Sequence, residues 1–138
     1  MVKSDFVSRR QSREEAFALL FEKCYNDSPF EELIKNAEES REIVISDFAK
    51  EIINGVDNNL TEIDSVISES LKGWSLNRIS KVTLSILRIA VYEILKCDNI
   101  PNSVSINEAV EIAKVYSTDK DASFINGVLG SIAKREKK

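Results

Sequence analysis

The chain has 138 residues, of which 43% are hydrophobic, and its formal net charge is −4. This length and apolar content are sufficient for one domain, or for two small packed subdomains, with a sizeable core. Arg88 and Glu93 interrupt the longest apolar run before it reaches the roughly 18 to 20 residues of a membrane span, and the N-terminus lacks a secretory apolar region. We therefore expect a soluble, cytoplasmic protein.

Several common signatures of catalytic and metal sites are missing from the sequence. There is no histidine, the commonest general base and a common zinc ligand, and the glycines form no phosphate-binding motif. Pairs of neighbouring carboxylates fall on predicted polar helix faces, where solvation accounts for them. Cys24 and Cys97 lie in apolar helical segments and are expected to be reduced core thiols. We therefore expect no enzyme, no cofactor and no metal site.

Apolar residues recur at three- and four-residue steps along the chain, which predicts helices and no strands. The first helix has two candidate N-caps, Ser8 and Ser12, and Ser12 forms a capping-box pattern with Glu15. The next four predicted helices are 29–40 with Ser28 as N-cap, 41–59, Thr61 to Gly73, and 79–96. Two more are predicted, one that begins at Ser105 in a capping box with Glu108 and one that begins near Ala122.

The segment 79–96 is apolar on nearly every side, which predicts a buried central helix. The predicted fold is all-α, with about seven helices in one domain (1–138) made of two packed subdomains, about 1–60 and 61–138, that share this helix. Arg88 and Glu93 are expected to form a structural ion pair or a polar tie between the subdomains. Trp74, in the joint ahead of the helix, is expected to be a packing anchor between the halves rather than a platform for a ligand.

Basic residues concentrate at both ends of the chain. The N-terminal segment contains four basic residues, Lys3, Arg9, Arg10 and Arg13, and one acidic residue, Asp5. The C-terminal segment contains four basic residues, Lys134, Arg135, Lys137 and Lys138, and one acidic residue, Glu136. This asymmetry is compatible with a basic footprint on an acidic body, and also with two solvated chain ends.

The first helix begins with arginines although cations at a helix N-terminus oppose the helix dipole. The three-residue step from Arg10 to Arg13 places both on one side, where guanidinium groups suit phosphate oxygens. Phe21, two turns beyond Arg13, either receives an unstacked base or belongs to the core.

A second candidate site lies in the last helix. Phe124 is out of step with the predicted core residues of that helix, and Asn126 and Gly127 are poor choices for a helix interior. These residues fit either close packing against a neighbouring helix at Gly127 or base stacking by Phe124.

Five segments, in this order along the chain, match the pattern of one family. They are SRRQSREEAFALLF (8–21), GWSLNRI (73–79), ILRIAVYEIL (86–95), IPNSVSINEAVEIAK (100–114) and FINGVL (124–129). With them the chain resembles the NusB family of bacterial transcription antitermination factors. Many members carry an acidic and then a basic residue where this chain has Thr83 and Leu84.

The resemblance implies an all-α, non-catalytic RNA-binding adaptor. Proteins of this family bind the single-stranded boxA element of nascent ribosomal RNA together with NusE, a protein of the small ribosomal subunit, and join other Nus factors on RNA polymerase. Some form homodimers, so the oligomeric state stays open. The RNA-binding residues that the family motifs imply here are Arg9, Arg10, Arg13, Phe21, Lys120 and Phe124.

Two alternatives belong to other functional classes. The first is a fragment of a ribosomal RNA methyltransferase with a fused NusB-like domain, although the end of the chain at Lys138 leaves no room for a domain that binds S-adenosylmethionine. The second is a helical module that binds only proteins and is indifferent to RNA.

Overall fold

A computed structural model describes residues 8–136. These residues form seven α-helices and one 3₁₀ helix, and no strand lies among them. The helices are α1 (Arg9–Lys23), α2 (Phe30–Arg41), α3 (Asp47–Asn58), α4 (Leu60–Glu69), α5 (Lys81–Lys96), α6 (Asn102–Tyr116) and α7 (Asp119–Arg135), with the 3₁₀ helix at Leu76–Arg78. The prediction of an all-α fold with about seven helices is confirmed. Across 8–136, every helix is too short or too polar to cross a membrane.

The chain divides into two compact units, Met1–Gly55 and Val56–Lys138, with the boundary inside α3. In the first unit α1 packs against α2. Its core consists mainly of aliphatic side chains, namely Ala16, Leu19, Leu20, Leu33, Ile45, Ile52 and Ile53.

The second unit is built around α5, which packs against α4, α6 and α7. Eleven of the sixteen residues of α5 are buried, as the sequence predicts for the segment 79–96. Arg88 forms a two-pronged ion pair with Asp64 of α4, with both N–O distances at 2.9 Å. The buried carboxylate of Glu93 accepts a hydrogen bond from Ser105 of α6 at 2.7 Å. Arg88 thus forms a structural ion pair, as predicted, and Glu93 a polar contact, but both of these contacts lie inside the second unit and not between the predicted subdomains.

Two predicted helix caps are wrong, because the serines concerned are buried inside helices. Ser8, not Ser12, is the N-cap of α1, and it forms a capping box with Gln11. Ser12 instead bonds the hydroxyl of Ser46, which is 34 residues away. Ser105 lies in the first turns of α6 and donates to Glu93. Each hydroxyl has a partner distant in sequence, which a local pattern does not show.

Other predicted boundaries are wrong by a few residues. α2 begins after Pro29, which occupies the N-cap position assigned to Ser28, and α4 begins after Asn59, so that Thr61 lies within it. α3 begins at Asp47 rather than 41, and α7 at Asp119 rather than near Ala122. For α3 the reason is local: Glu42 adopts a left-handed conformation (φ 52°) that ends α2, and the N–H of Ile45 donates to the Glu38 carboxylate rather than to a helical carbonyl.

The basic ends of the chain are only partly described. Lys3, Asp5, Lys137 and Lys138 lie outside the described residues. At the C-terminus, Arg135 donates to the hydroxyl of Ser70 at 2.8 Å and to the carbonyl of Val66 at 3.4 Å. Arg135 thus joins α7 to α4, although the residue as a whole is exposed.

Candidate nucleic-acid interface

The N-terminus of α1 presents arginines to solvent. The Ser8–Gln11 capping box satisfies two backbone N–H groups at this end, with both hydrogen bonds at 3.1 Å. The first turn contains no acidic residue, so the dipole of the helix and the charges of Arg9 and Arg10 have the same sign here. Both arginines are exposed. This end of α1 is therefore a concentrated positive surface that suits an anion.

Two guanidinium groups of α1 lie over a single aromatic ring of α3. The guanidinium carbon of Arg9 is 3.8 Å from the centroid of the Phe48 ring, and that of Arg13 is 5.4 Å from it. We call these three residues the Arg–Phe48 cluster. Arg13 is only 4% exposed, whereas Arg9 is exposed. Arg9 and Arg13, one helical turn apart, thus share the Phe48 ring.

Ser46 fixes Phe48 against α1. Its hydroxyl accepts from the N–H of Ala49 at the start of α3 and lies 2.7 Å from the hydroxyl of Ser12. Its backbone N–H donates to the carboxylate of Glu15 at 3.1 Å. Ser46, directly before α3, is therefore bonded to α1 at two points. Phe48 follows it in the first turn of α3, where its ring lies under the guanidinium group of Arg9.

Phe21 is part of a row of aromatic rings on α1. Its ring stacks on Phe17 with centroids 6.2 Å apart and meets the edge of Tyr25 at 5.4 Å. Phe17 is buried, Phe21 is half-buried and Tyr25 is 71% exposed. Phe21 thus contributes to the core on one side and keeps an accessible side, which is compatible with both roles that the sequence left open.

Trp74 is exposed on the second unit. It follows two residues with left-handed backbone, Lys72 (φ 46°) and Gly73 (φ 94°), and its N–H donates to the carbonyl of Leu71 at 3.2 Å. The indole is 57% exposed, so the interpretation of Trp74 as a packing anchor is wrong. The tight turn directs the side chain away from the core, and the guanidinium carbon of Arg78 lies 5.6 Å from its ring centroid.

Two clefts of the second unit share Trp74 and Phe124 in their walls. The first, which we call the Trp74 cleft, has a volume of about 290 Å³ and is lined by Trp74, Arg78, Ile79, Ser80, Thr83, Lys120, Asp121 and Phe124. The second, which we call the Lys72 cleft, has a volume of about 390 Å³ and is lined by Ser70, Leu71, Lys72, Trp74, Ser123, Phe124, Gly127, Val128 and Ser131. The predicted residues Lys120 and Phe124 are thus brought together in one cleft.

The orientation predicted for Phe124 is confirmed. It is 36% exposed, whereas the residues of α7 that follow the core spacing, Ile125, Val128, Leu129 and Ile132, are buried. A Cβ atom added at Gly127 would have no heavy atom within 4 Å apart from its chain neighbours and the nearby backbone of its own helix. The close-packing interpretation of Gly127 is therefore wrong, and this glycine borders open space in the Lys72 cleft.

The model of the NusB family matches residues 10–134 of the chain. The chain belongs to the NusB family.

Curated NusB-family relatives match over nearly their whole length. The chain is 45% identical over 132 residues to the transcription antitermination protein NusB of Clostridium novyi, which covers 93% of this chain and 99% of the relative. It is 44% identical over 131 residues to the protein of the same name from Listeria monocytogenes, covering 95% and 100% of the two chains.

Solved NusB structures have the same fold. A T. maritima NusB structure superposes with a TM-score of 0.84 at 38% identity, covering 96% of this chain and 94% of that one. A chain from a crystal structure of the antitermination factors NusB and NusE in complex with double-stranded RNA gives a TM-score of 0.83 at 28% identity, covering 92% and 96%.

Sequence reasoning missed Phe48 and Arg78 and assigned Trp74 to packing. Phe48 reads as one more apolar residue in the stripe of α3, and its contact with Arg9 joins two helices that are distant in sequence. The sequence carries no local signal for the exposure of Trp74, because the left-handed turn at Lys72 and Gly73 is visible only in the structure.

Proposed function

We propose that this protein is a transcription antitermination factor: a non-catalytic adaptor that binds the boxA element of nascent RNA together with NusE and supports antitermination by RNA polymerase. The observation that carries the proposal is the family membership, with relatives matched over 99% of their length that are antitermination proteins. The solved neighbour that contains NusB, NusE and RNA supports the same partners. Relatives of this kind do not favour the methyltransferase-fragment alternative.

Within this function, Arg9 and Arg10 contact phosphates of the RNA. Both are exposed at the positive end of α1, and contacts of this kind position the RNA without reading its sequence. Arg13 is buried against Phe48, so we assign it an indirect role: it supports the ring on which Arg9 lies.

The aromatic residues Phe21 and Phe124 contact bases. Each presents an accessible ring side, and single-stranded RNA offers unstacked bases to such rings. Lys120, exposed in the first turn of α7 and in the wall of the Trp74 cleft, adds a positive charge beside Phe124.

Titration of the protein with a boxA-like RNA and with a scrambled RNA of the same composition, each with and without NusE, tests the proposal. We expect tighter binding of the boxA-like RNA, and a further gain when NusE is present. Equal, weak binding of both RNAs under all conditions, alongside normal binding of NusE, would instead identify a module that binds only protein.

A further inference from the structure

Trp74 is an exposed tryptophan of the second unit. Its indole is 57% exposed, although a tryptophan is among the side chains with the most apolar area to bury. The turn at Lys72 and Gly73 and the N–H bond of Trp74 to Leu71 fix its backbone, so the exposure does not follow from a loose chain. A large rigid aromatic surface held outward in this way is typical of a recognition residue.

The surroundings of Trp74 are aromatic and cationic. The indole and Phe124 stand between the Trp74 cleft and the Lys72 cleft, each close to the lower size limit of about 300 Å³ for small-molecule pockets. Arg78 and Lys120 line the first cleft and Lys72 lines the second. The one carboxylate in these walls, that of Asp121, is held by the hydroxyl of Ser117.

We propose that Trp74 is a stacking platform for one unpaired base of single-stranded RNA, with the adjoining phosphates lying against Arg78 on one side and Lys72 on the other. This contact rests on the proposed function, and it adds base stacking on Trp74 and phosphate contacts of Arg78 and Lys72 to that function. A planar base fits the open face of the indole, since stacking on an aromatic ring needs no particular base. Flanking cations match the charge on the phosphates of the same nucleotide and its neighbour.

The fluorescence of the protein tests this contact directly, because Trp74 is its only tryptophan. The full chain is titrated with a single-stranded boxA-like RNA, with NusE present, while indole emission and the anisotropy of end-labelled RNA are both recorded. We expect emission to fall and to saturate at the same RNA concentration as the anisotropy. The titration uses a NusE variant without tryptophan, so that the emission belongs to Trp74.

The two readouts separate this proposal from the proposed function. RNA binding by anisotropy with unchanged indole emission overturns the stacking contact and leaves the function in place. Absence of RNA binding, with and without NusE, overturns both.

Substitutions measure the size of the effect. Trp74→Leu keeps an apolar side chain but removes the ring, and we expect affinity to fall by about 5- to 150-fold, the equivalent of one base stack. Trp74→Phe should retain part of the affinity. Tyr116→Leu is the matched control, since Tyr116 is 48% exposed on the same unit and lines neither cleft. Wild-type affinity for Trp74→Leu, with circular dichroism unchanged, contradicts the proposal.

The flanking cations give a second, independent measurement. Arg78→Gln and Lys72→Gln should each lower the slope of log affinity against log salt by about 0.7, the value for one phosphate of a single strand. Trp74→Leu should leave that slope unchanged, because it removes no charge. Unchanged slopes for both cation variants would contradict the proposed contacts of Arg78 and Lys72 with phosphates of the RNA.

Discussion

The Arg–Phe48 cluster of the first unit and the Trp74 cleft of the second use the same two chemical groups, a guanidinium and an aromatic ring, with opposite exposure. In the cluster the ring is half-buried and Arg9 covers it at 3.8 Å. In the cleft the ring is exposed and Arg78 lies further away, at 5.6 Å. The cluster therefore offers charge to a ligand, and the cleft offers an aromatic face.

This difference assigns the two regions different shares of RNA binding. Phosphate contacts depend strongly on salt because counterions are released, whereas stacking on a ring does not release them. We expect the arginines of the first region to contribute mainly salt-dependent affinity. In the second region the ring of Trp74 adds affinity that persists at high salt, and only the contacts of Arg78 and Lys72 depend on salt. Four predictions test how the two regions share RNA binding, or how stable the fold around them is.

Replacing Arg9 and Arg10 together by glutamine should have the largest effect. Loss of two phosphate contacts lowers the slope of log affinity against log salt by about 1.4, which corresponds to roughly 25-fold weaker binding near 0.1 M salt. Anisotropy titrations at four or five salt concentrations measure both quantities. Lys35→Gln, which removes one exposed cation of α2 in the same unit, is the control and should leave the slope unchanged. A wild-type slope in the double variant would remove the N-terminus of α1 from the RNA site.

Arg88→Met should lower stability without lowering RNA affinity. The pair with Asp64 is partly exposed, at 18% and 23% of the two side chains, so we expect a loss of about 1 to 2 kcal/mol, less than for a fully buried pair. Chemical denaturation measures the stability, and RNA titration of the folded protein measures affinity. The double variant with Asp64→Asn isolates the pairwise part. A loss of affinity at unchanged stability would make Arg88 part of the binding surface.

The elements that the sequence predicted well are those with local causes. The apolar spacing of α5 and the outward position of Phe124 follow from helical periodicity, and the structure agrees with both. The stripe of a helix is decided by residues within a few turns, so it can be read without knowing the rest of the fold.

Features with distant causes were predicted poorly. Ser12 and Ser105 have the pattern of a helix cap, yet their partners are Ser46 and Glu93, which only the folded chain brings near. The burial of Arg13 depends likewise on Phe48 of another helix. For Trp74, bulk and apolarity favoured burial, and the exposed position results from a turn whose direction the sequence does not specify. The burial of Arg13 and the exposure of Trp74 are thus set by the folded chain and not by their local sequence.

Phe48→Leu should weaken RNA binding by roughly two- to fivefold while leaving the salt slope intact. The ring orders the Arg9 side chain, and a cation–π contact of this kind contributes about 0.5 to 1 kcal/mol at an exposed site. The charges of Arg9 and Arg10 remain, so the number of phosphate contacts should not change. Phe48→Tyr, which keeps the ring, is the control and should bind normally. A reduced slope in Phe48→Leu would mean that the ring is needed to form the phosphate contact, not only to strengthen it.

Gly127→Ala should have the smallest effect, and it should be stabilising. Gly127 lies within α7, where glycine is less favourable than alanine by up to about 1 kcal/mol, and an added Cβ meets no heavy atom within 4 Å. We therefore expect the free energy of unfolding to rise by about 0.5 to 1 kcal/mol, measured by urea denaturation. Ser123→Ala, in the same helix and the same cleft wall, is the control, because it also raises helix propensity but replaces no glycine. A loss of stability in Gly127→Ala would mean that another helix packs closely at this position. The Lys72 cleft beside Trp74 would then not be open at Gly127.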